Sequence, residues 1–200
     1  KGIEWLKIVK EKYNIPVITE VMEEKFLPLI CEVSDILQIG SRNMQNFPFL
    51  TVCAKTQKPI ILSTGMSNLG MIEDSLNVIA KTGNSNVALL HCNSTYPAPL
   101  DELNLNVIPV MKDRYDCIVG YSGHEYNLEP SVLAVALGAQ IIERHITLDH
   151  NMWGTDQGSS LEVHAMDLLK RRIKDVGLIL GGKEKIITDT EKPNLKKLRG

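Results

Sequence analysis

Six short, almost uniformly apolar runs recur along this chain, and each is followed by a helical stretch or a loop leading into one. They begin at Pro16 ("PVITEVM"), Asp35 ("DILQI"), Lys58 ("KPIILS"), Asn86 ("NVALLHC"), Cys117 ("CIVGYS") and Gln140 ("QIIERH"). Strands that are apolar on both faces belong to parallel sheets covered by helices. Two architectures meet that pattern, an open doubly wound sheet and a closed barrel. The open sheet usually carries a glycine-rich phosphate turn after its first strand, and neither GxGxxG nor GxxxxGK[ST] is present. A barrel instead gathers polar residues from the carboxyl ends of several strands at one mouth. Here the runs end in Thr19-Glu20, Ser41-Arg42, Ser63-Thr64, Asn93-Ser94, Ser122 to His124 and Glu143 to His145, which favours a (β/α)8 TIM barrel.

A barrel of this type needs eight strands and occupies about 250 residues. Six runs in 200 residues, beginning at Lys1, predict that the first two strand-helix units precede this sequence. Residues 1–182 are then a partial barrel domain. The stretch 183–200, rich in Lys and containing Pro193, is expected to be an exposed linker. Helices are expected over 2–13, 68–82, the "EPSVLAVALGA" stretch and 161–180, with a looser helical stretch interrupted by Pro109.

Two of the runs lead into histidines, His124 and His145, with an amphipathic helix between them. If they are neighbouring parallel strands joined by a βαβ crossover, both imidazoles emerge at one carboxyl-terminal sheet edge. Such a pair either holds a divalent metal with coordination positions open to substrate, or caps two strand ends.

The composition excludes other classes. A net charge of -2 with scattered Lys and Arg offers no basic field for nucleic acid. No apolar run reaches the length of a membrane span, and no signal peptide is visible, so a cytoplasmic protein is the default expectation. Cys31, Cys53, Cys92 and Cys117 lie far apart and form no CxxC pair, as expected of reduced, mostly buried thiols.

Six motifs in order carry a resemblance to a known family: "KPIILSTGM" (58–66), "LLHCNSTYPAP" (89–99), "LNLNVIP" (103–109), "VGYSGHE" (119–125), "ALGAQIIERHITLD" (136–149) and "MWGTDQGSSLE" (152–162). With them the chain resembles the sialic acid (N-acetylneuraminate) synthases. Those enzymes condense phosphoenolpyruvate with an N-acetylated amino sugar such as N-acetylmannosamine on a (β/α)8 barrel. "DILQIGSRNMQN" departs from the family, which usually has a lysine where Gln38 stands. With Arg42 the segment is instead similar to synthases that join phosphoenolpyruvate to phosphorylated sugars, where the matching arginine binds phosphate.

The resemblance implies roles residue by residue. His124 and His145 match the metal ligands, for Mn2+ or Mg2+. Asp156 matches an acidic residue facing the sugar, and Tyr96 a substrate-contacting tyrosine. Glu143, two residues before His145, points to the same side of its strand and is expected to touch metal water or substrate, or to satisfy a neighbouring barrel position. Ser41, Ser63, Thr64, Ser94 and Ser122 offer small hydroxyls to phosphate and carboxylate oxygens, and Arg42 offers a planar donor fork. Gln45 and Asn46 are weaker candidates for sugar hydroxyls, and His91 reads as a satisfied core histidine. The tail resembles the family's link to an antifreeze-like domain, and the full-length protein is expected to be a homodimer. Two other readings stand beside this one: a 3-deoxy-aldulosonate phosphate synthase using a sugar phosphate, and a non-catalytic barrel fragment that acts as a binding module.

Overall fold

The computed structural model describes residues 1–199. Its strands are β1 (Ile18–Glu20), β2 (Ile36–Ile39), β3 (Ile60–Ser63), β4 (Val87–Cys92), β5 (Ile118–Gly123) and β6 (Ile142–Arg144). They form one six-stranded sheet in sequence order, every neighbouring pair parallel. The helices are α1 (Gly2–Tyr13), α2 (Leu27–Val33), α3 (Phe47–Lys55), α4 (Leu69–Ala80), α5 (Val107–Arg114), α6 (Glu129–Ala136), α7 (Val163–Leu180) and α8 (Lys192–Arg199). Sequential order in an all-parallel sheet requires a crossover after each strand, and α2 to α6 lie in those crossovers.

Local chemistry sets the helix starts. The Asn46 side chain accepts from the Phe49 amide at 3.4 Å to cap α3, and that of Asn68 accepts from the Met71 amide at 3.0 Å to cap α4. Pro109 does not interrupt α5. It stands in the first turn, where the missing amide proton has no helical partner to lose.

The strands bury both faces, for different reasons. Leu37, Ile39, Leu62, Leu89, Val119 and Tyr121 face the helices and join Leu50, Cys53, Ile72, Ile79, Ile108 and Met111 in the main core. Each full burial of such a side chain contributes about 2 kcal/mol before entropy is counted. On the concave face a second, small cluster contains Ile61, Ala88 and Leu90, with Ile36 and Ile141 against it. Gly120 belongs to this layer. A Cβ there would lie 2.6 Å from the Ile141 carbonyl oxygen and 2.7 Å from Leu90 Cδ2. Gly120→Ala is therefore expected to cost about 1–3 kcal/mol by overpacking, read as a shift in urea midpoint at unchanged m-value.

The sheet curls so far that the Gln38 amide on β2 donates to Glu143 on β6 across the concave face, at 2.7 Å. The result is a half-barrel whose two edges, β1 and β6, have no further strand beside them among the described residues. Two elements differ from expectation at the carboxyl end. Leu161–Glu162 does not begin the long helix but pairs in parallel, as β8, with Ile146–Thr147 (β7). The tail stretch expected to be a plain linker contains α8, which has no buried residue. All four cysteines are free thiols, Cys53 and Cys92 buried and Cys31 and Cys117 partly so. Among the described residues no helix is long and apolar enough to cross a membrane.

Candidate active site

The carboxyl ends of all six strands open on one cavity of about 450 Å³. The inward-facing residues above the apolar layer are Glu20, Gln38, Ser63, Cys92, Ser122 and Glu143, one from each strand in turn. Strand alternation decides this set, since each stands an even number of places from an apolar neighbour that points the same way. The loops add Ser41, Arg42, Met66, Ser94, Tyr96, His124, His145 and Asp156.

His124 and His145 follow β5 and β6 and meet edge to face, ring centroids 5.3 Å apart. The His124 Nδ1 lies 2.6 Å from the Asn93 carbonyl oxygen. A carbonyl only accepts, so Nδ1 carries the proton and Nε2 keeps its lone pair toward the cavity. Burial, reinforced by the charge His145 would carry, pulls the His124 imidazole below its ordinary value against the pull of the Asn93 bond. The neutral, ligating form is thereby favoured at neutral pH. Tyr96 lies over His124 with centroids 4.1 Å apart and stands edge-on to His145 at 5.6 Å. Burial, and after it the surrounding acidic groups, push its phenol upward, so it remains a hydrogen-bond donor.

Glu143 is held on both oxygens, by Gln38 Nε2 and by the Ser122 hydroxyl, each at 2.7 Å. The Asp156 Oδ2 stands 3.9 Å from His145 Nδ1, and its Oδ1 accepts from the Thr155 hydroxyl at 2.8 Å. Ser41 accepts from the Gly65 amide at 2.9 Å and lies 3.4 Å from the Cys92 thiol, whose burial raises it above the ordinary thiol range. Arg42 sits at the exposed rim, 3.8 Å from Glu20 and 2.7 Å from the Met22 sulfur.

Ten of the eleven residues expected at the site line this cavity. Thr64 does not. Its hydroxyl donates to the Leu90 carbonyl oxygen at 2.9 Å, and the residue lines a neighbouring cavity of about 930 Å³ between the sheet and α4 and α5. The alternation that points Ser63 inward points Thr64 away. Gln45 and Asn46 are also occupied elsewhere: Gln45 donates to the Met71 carbonyl and the Ser75 hydroxyl, and Asn46 caps α3. Glu20, Gln38, Met66 and Cys92 line the site without having been assigned to it. Glu20 had a signal, its place at the end of the first run, and Cys92 had one in strand alternation, two places after Leu90; Met66 had none beyond its neighbours.

The larger cavity contains His91, whose Nε2 donates to the Leu103 carbonyl oxygen at 2.7 Å. Burial pulls this imidazole below its ordinary value of 6.5. The unfolded chain then takes up the His91 proton at higher pH than the folded one, so the neutral form stabilises the fold above about pH 6.5, and this stability is lost as pH falls through the folded value. Thermal midpoints from pH 8 to pH 5 should therefore fall more steeply on the acid side for the wild type than for His91→Gln, which keeps a donor but does not titrate.

The donor set suits a divalent cation. Three carboxylates, Glu20, Glu143 and Asp156, face one guanidinium, so the lining is net acidic, and two imidazoles supply ring nitrogens. No group of three or more His, Cys, Asp or Glu is arranged to hold a metal ion among the described residues. Any ion here would rest on His124 and His145, leaving most coordination positions to water or substrate.

Residues 3–185 match the NeuB family. The chain is 40% identical to the N,N'-diacetyllegionaminic acid synthase of Campylobacter jejuni, over 94% of this chain and 58% of that protein. It superposes on the N-acetylneuraminic acid (sialic acid) synthetase of Leptospira borgpetersenii, solved in complex with citrate, with a TM-score of 0.86 and 30% identity, covering 100% of this chain and 71% of that one. The phospho-2-dehydro-3-deoxyheptonate aldolase (DAHP synthase) of Thermotoga maritima superposes with a TM-score of 0.81 and 27% identity, covering 91% and 56%. The chain spans about half the length of the curated relatives it matches, 58% and 56% of two of them.

Proposed function

Because this chain belongs to the NeuB family, we propose that it carries the catalytic face of a synthase that condenses phosphoenolpyruvate with an N-acetylated amino sugar, N-acetylmannosamine or a related one, giving a nonulosonic acid and phosphate. The observation that carries the reading is the pair of imidazoles, 5.3 Å apart, set beside Tyr96, Glu143 and Asp156 in one strand-end cavity. In the reaction, C3 of phosphoenolpyruvate bonds to the sugar's aldehyde carbon, water adds to the cationic C2, and the C2–O bond breaks to release phosphate.

A Mn2+ or Mg2+ ion held by His124 Nε2 and His145 would supply Lewis acidity toward the aldehyde oxygen. The chain's own residues do the rest. Tyr96 and Asp156 orient the sugar, the phenol as donor and the carboxylate as acceptor of a hydroxyl or of the proton that leaves it. Glu143, fixed by Gln38 and Ser122, keeps a carboxylate directed at the water that adds to C2. Ser41, Ser63 and Ser94 present hydroxyls to phosphate and carboxylate oxygens, whereas the single Ser122 hydroxyl proton is committed to Glu143, and Arg42 supplies a guanidinium at the rim. An acidic lining favours such an anion only together with the cation, so binding of phosphoenolpyruvate and of metal should be mutually reinforcing.

Open edges at β1 and β6 and the half-exposed, inward-facing Ile18 and Ile118 support completion of the sheet to eight strands in the whole protein. We place residues 1–182 in that barrel and 183–200 in the link to a further domain, in a cytoplasmic homodimer.

The test is phosphate release from phosphoenolpyruvate by the full-length protein with Mn2+, against N-acetylated hexosamines and phosphorylated pentoses and tetroses. Turnover is expected with an unphosphorylated amino sugar. Turnover restricted to a sugar phosphate would transfer the reading to the aldulosonate phosphate synthases, with Arg42 as the guide. A folded, metal-loaded protein inert with every acceptor would leave only the binding-module reading.

A further inference from the structure

Behind the two histidines, on the helix side of the sheet, lies a charged pair that the reaction does not use. Glu125 follows His124 and Arg144 precedes His145, and both side chains are only 1% exposed. Arg144 Nη1 donates to Glu125 Oε1 at 3.0 Å, to the Asn127 carbonyl oxygen at 2.9 Å and to the Ser131 hydroxyl at 3.1 Å. Its Nη2 donates to the Glu125 carbonyl oxygen. The Tyr121 hydroxyl donates to the other carboxylate oxygen at 2.8 Å. One guanidinium on β6 thus grips three consecutive features of the chain that leaves β5: the Glu125 side chain, its backbone, and the turn into α6. Gly123 makes room for it, since a Cβ there would lie 2.8 Å from Glu125 Oε1 and 2.9 Å from Arg144 Cδ.

A buried ion pair is a poor device for stability alone, because apolar residues of similar volume commonly serve as well or better. What the pair adds is geometry. A planar fork with a fixed donor pattern sets one distance and one angle between the segments it joins, whereas apolar side chains adapt to several. We propose that Glu125 and Arg144 are positioning residues that fix the separation and orientation of the His124 and His145 imidazoles, and with them the affinity of the site for its divalent cation. The inference rests on the reading of those two histidines as metal ligands.

The experiment is a Mn2+ titration followed by electron paramagnetic resonance, with thermal unfolding in parallel, on the full-length wild type, Arg144→Lys, and the double variant Glu125→Leu/Arg144→Met. The double variant removes both charges, so no unpaired charge is left in the core. It is expected to remain folded and to be more stable than Arg144→Met alone while binding Mn2+ about 10–100-fold more weakly, the loss usual when a supporting contact behind a metal ligand is removed. Arg144→Lys, which keeps the charge and loses the fork, is expected to fold and to bind about tenfold more weakly. A folded double variant with wild-type affinity would overturn the proposal; should that variant not fold, a folded Arg144→Lys with wild-type affinity would do so. Failure of the wild type itself to bind Mn2+ would overturn the metal reading and the clamp together, whereas undiminished binding in the variants overturns the clamp alone.

Discussion

His124→Ala and His145→Ala are each expected to lower phosphate release from phosphoenolpyruvate by about three orders of magnitude or more at saturating Mn2+. Each substitution removes one of the two imidazoles that face the cavity and leaves a single nitrogen donor there. Lewis-acid polarisation of a carbonyl is worth several kcal/mol, and about 4 kcal/mol corresponds to a thousandfold in rate. The two variants should differ in stability. The His145 ring is 34% exposed and, among the described residues, its polar contact is Asp156 at 3.9 Å, so its loss should leave the thermal midpoint nearly unchanged. His124 is buried, and its removal strands the Asn93 carbonyl oxygen, which should lower the midpoint measurably. Turnover within tenfold of wild type in either variant would remove that histidine from the metal site.

The second large effect is on stability. Arg144→Met alone is expected to cost about 3–5 kcal/mol, because it leaves the Glu125 carboxylate buried without its cation. Chemical denaturation reads this directly. Adding Glu125→Leu to the same protein should recover most of the loss, so the two changes together cost far less than the sum of each alone. A loss below about 1 kcal/mol for Arg144→Met would mean that water reaches the pair, contrary to its burial.

The two predictions separate contributions that are adjacent in sequence. His124 and Glu125 are neighbours, as are Arg144 and His145, yet in each pair one side chain faces the cavity and the other the core. Alternation at the strand ends accounts for this. It also explains why Ser63 lines the site and Thr64 does not, a distinction that period-two reasoning could have drawn from the sequence. The concave mouth was legible in the same way. Runs ending in Ser63, Ser122, Glu143 and the histidines already indicate most of the lining, since parallel strands deliver all their carboxyl ends to one edge.

Contacts between distant residues were not legible. Gln38 and Glu143 are 105 positions apart and meet because the sheet curls, a property of the whole sheet that neither strand encodes. The grip of Arg144 on Asn127 and Ser131 likewise depends on how α6 docks. From sequence, Arg144 is one more charged residue in a strand. The pairing of Leu161–Glu162 with Ile146–Thr147 was missed because two-residue strands carry no periodicity.

By itself the sequence determined the alternation of buried strands and helices, the parallel sheet, the sheet edge at which polar side chains gather and the two imidazoles there, because these follow from hydrophobic period and chain direction. The tertiary structure alone decided which side chains close across the concave face, which charged pair lies buried behind the histidines, and how far apart the two rings stand. Those depend on sheet curvature and helix docking, which are set by the packing of the whole core.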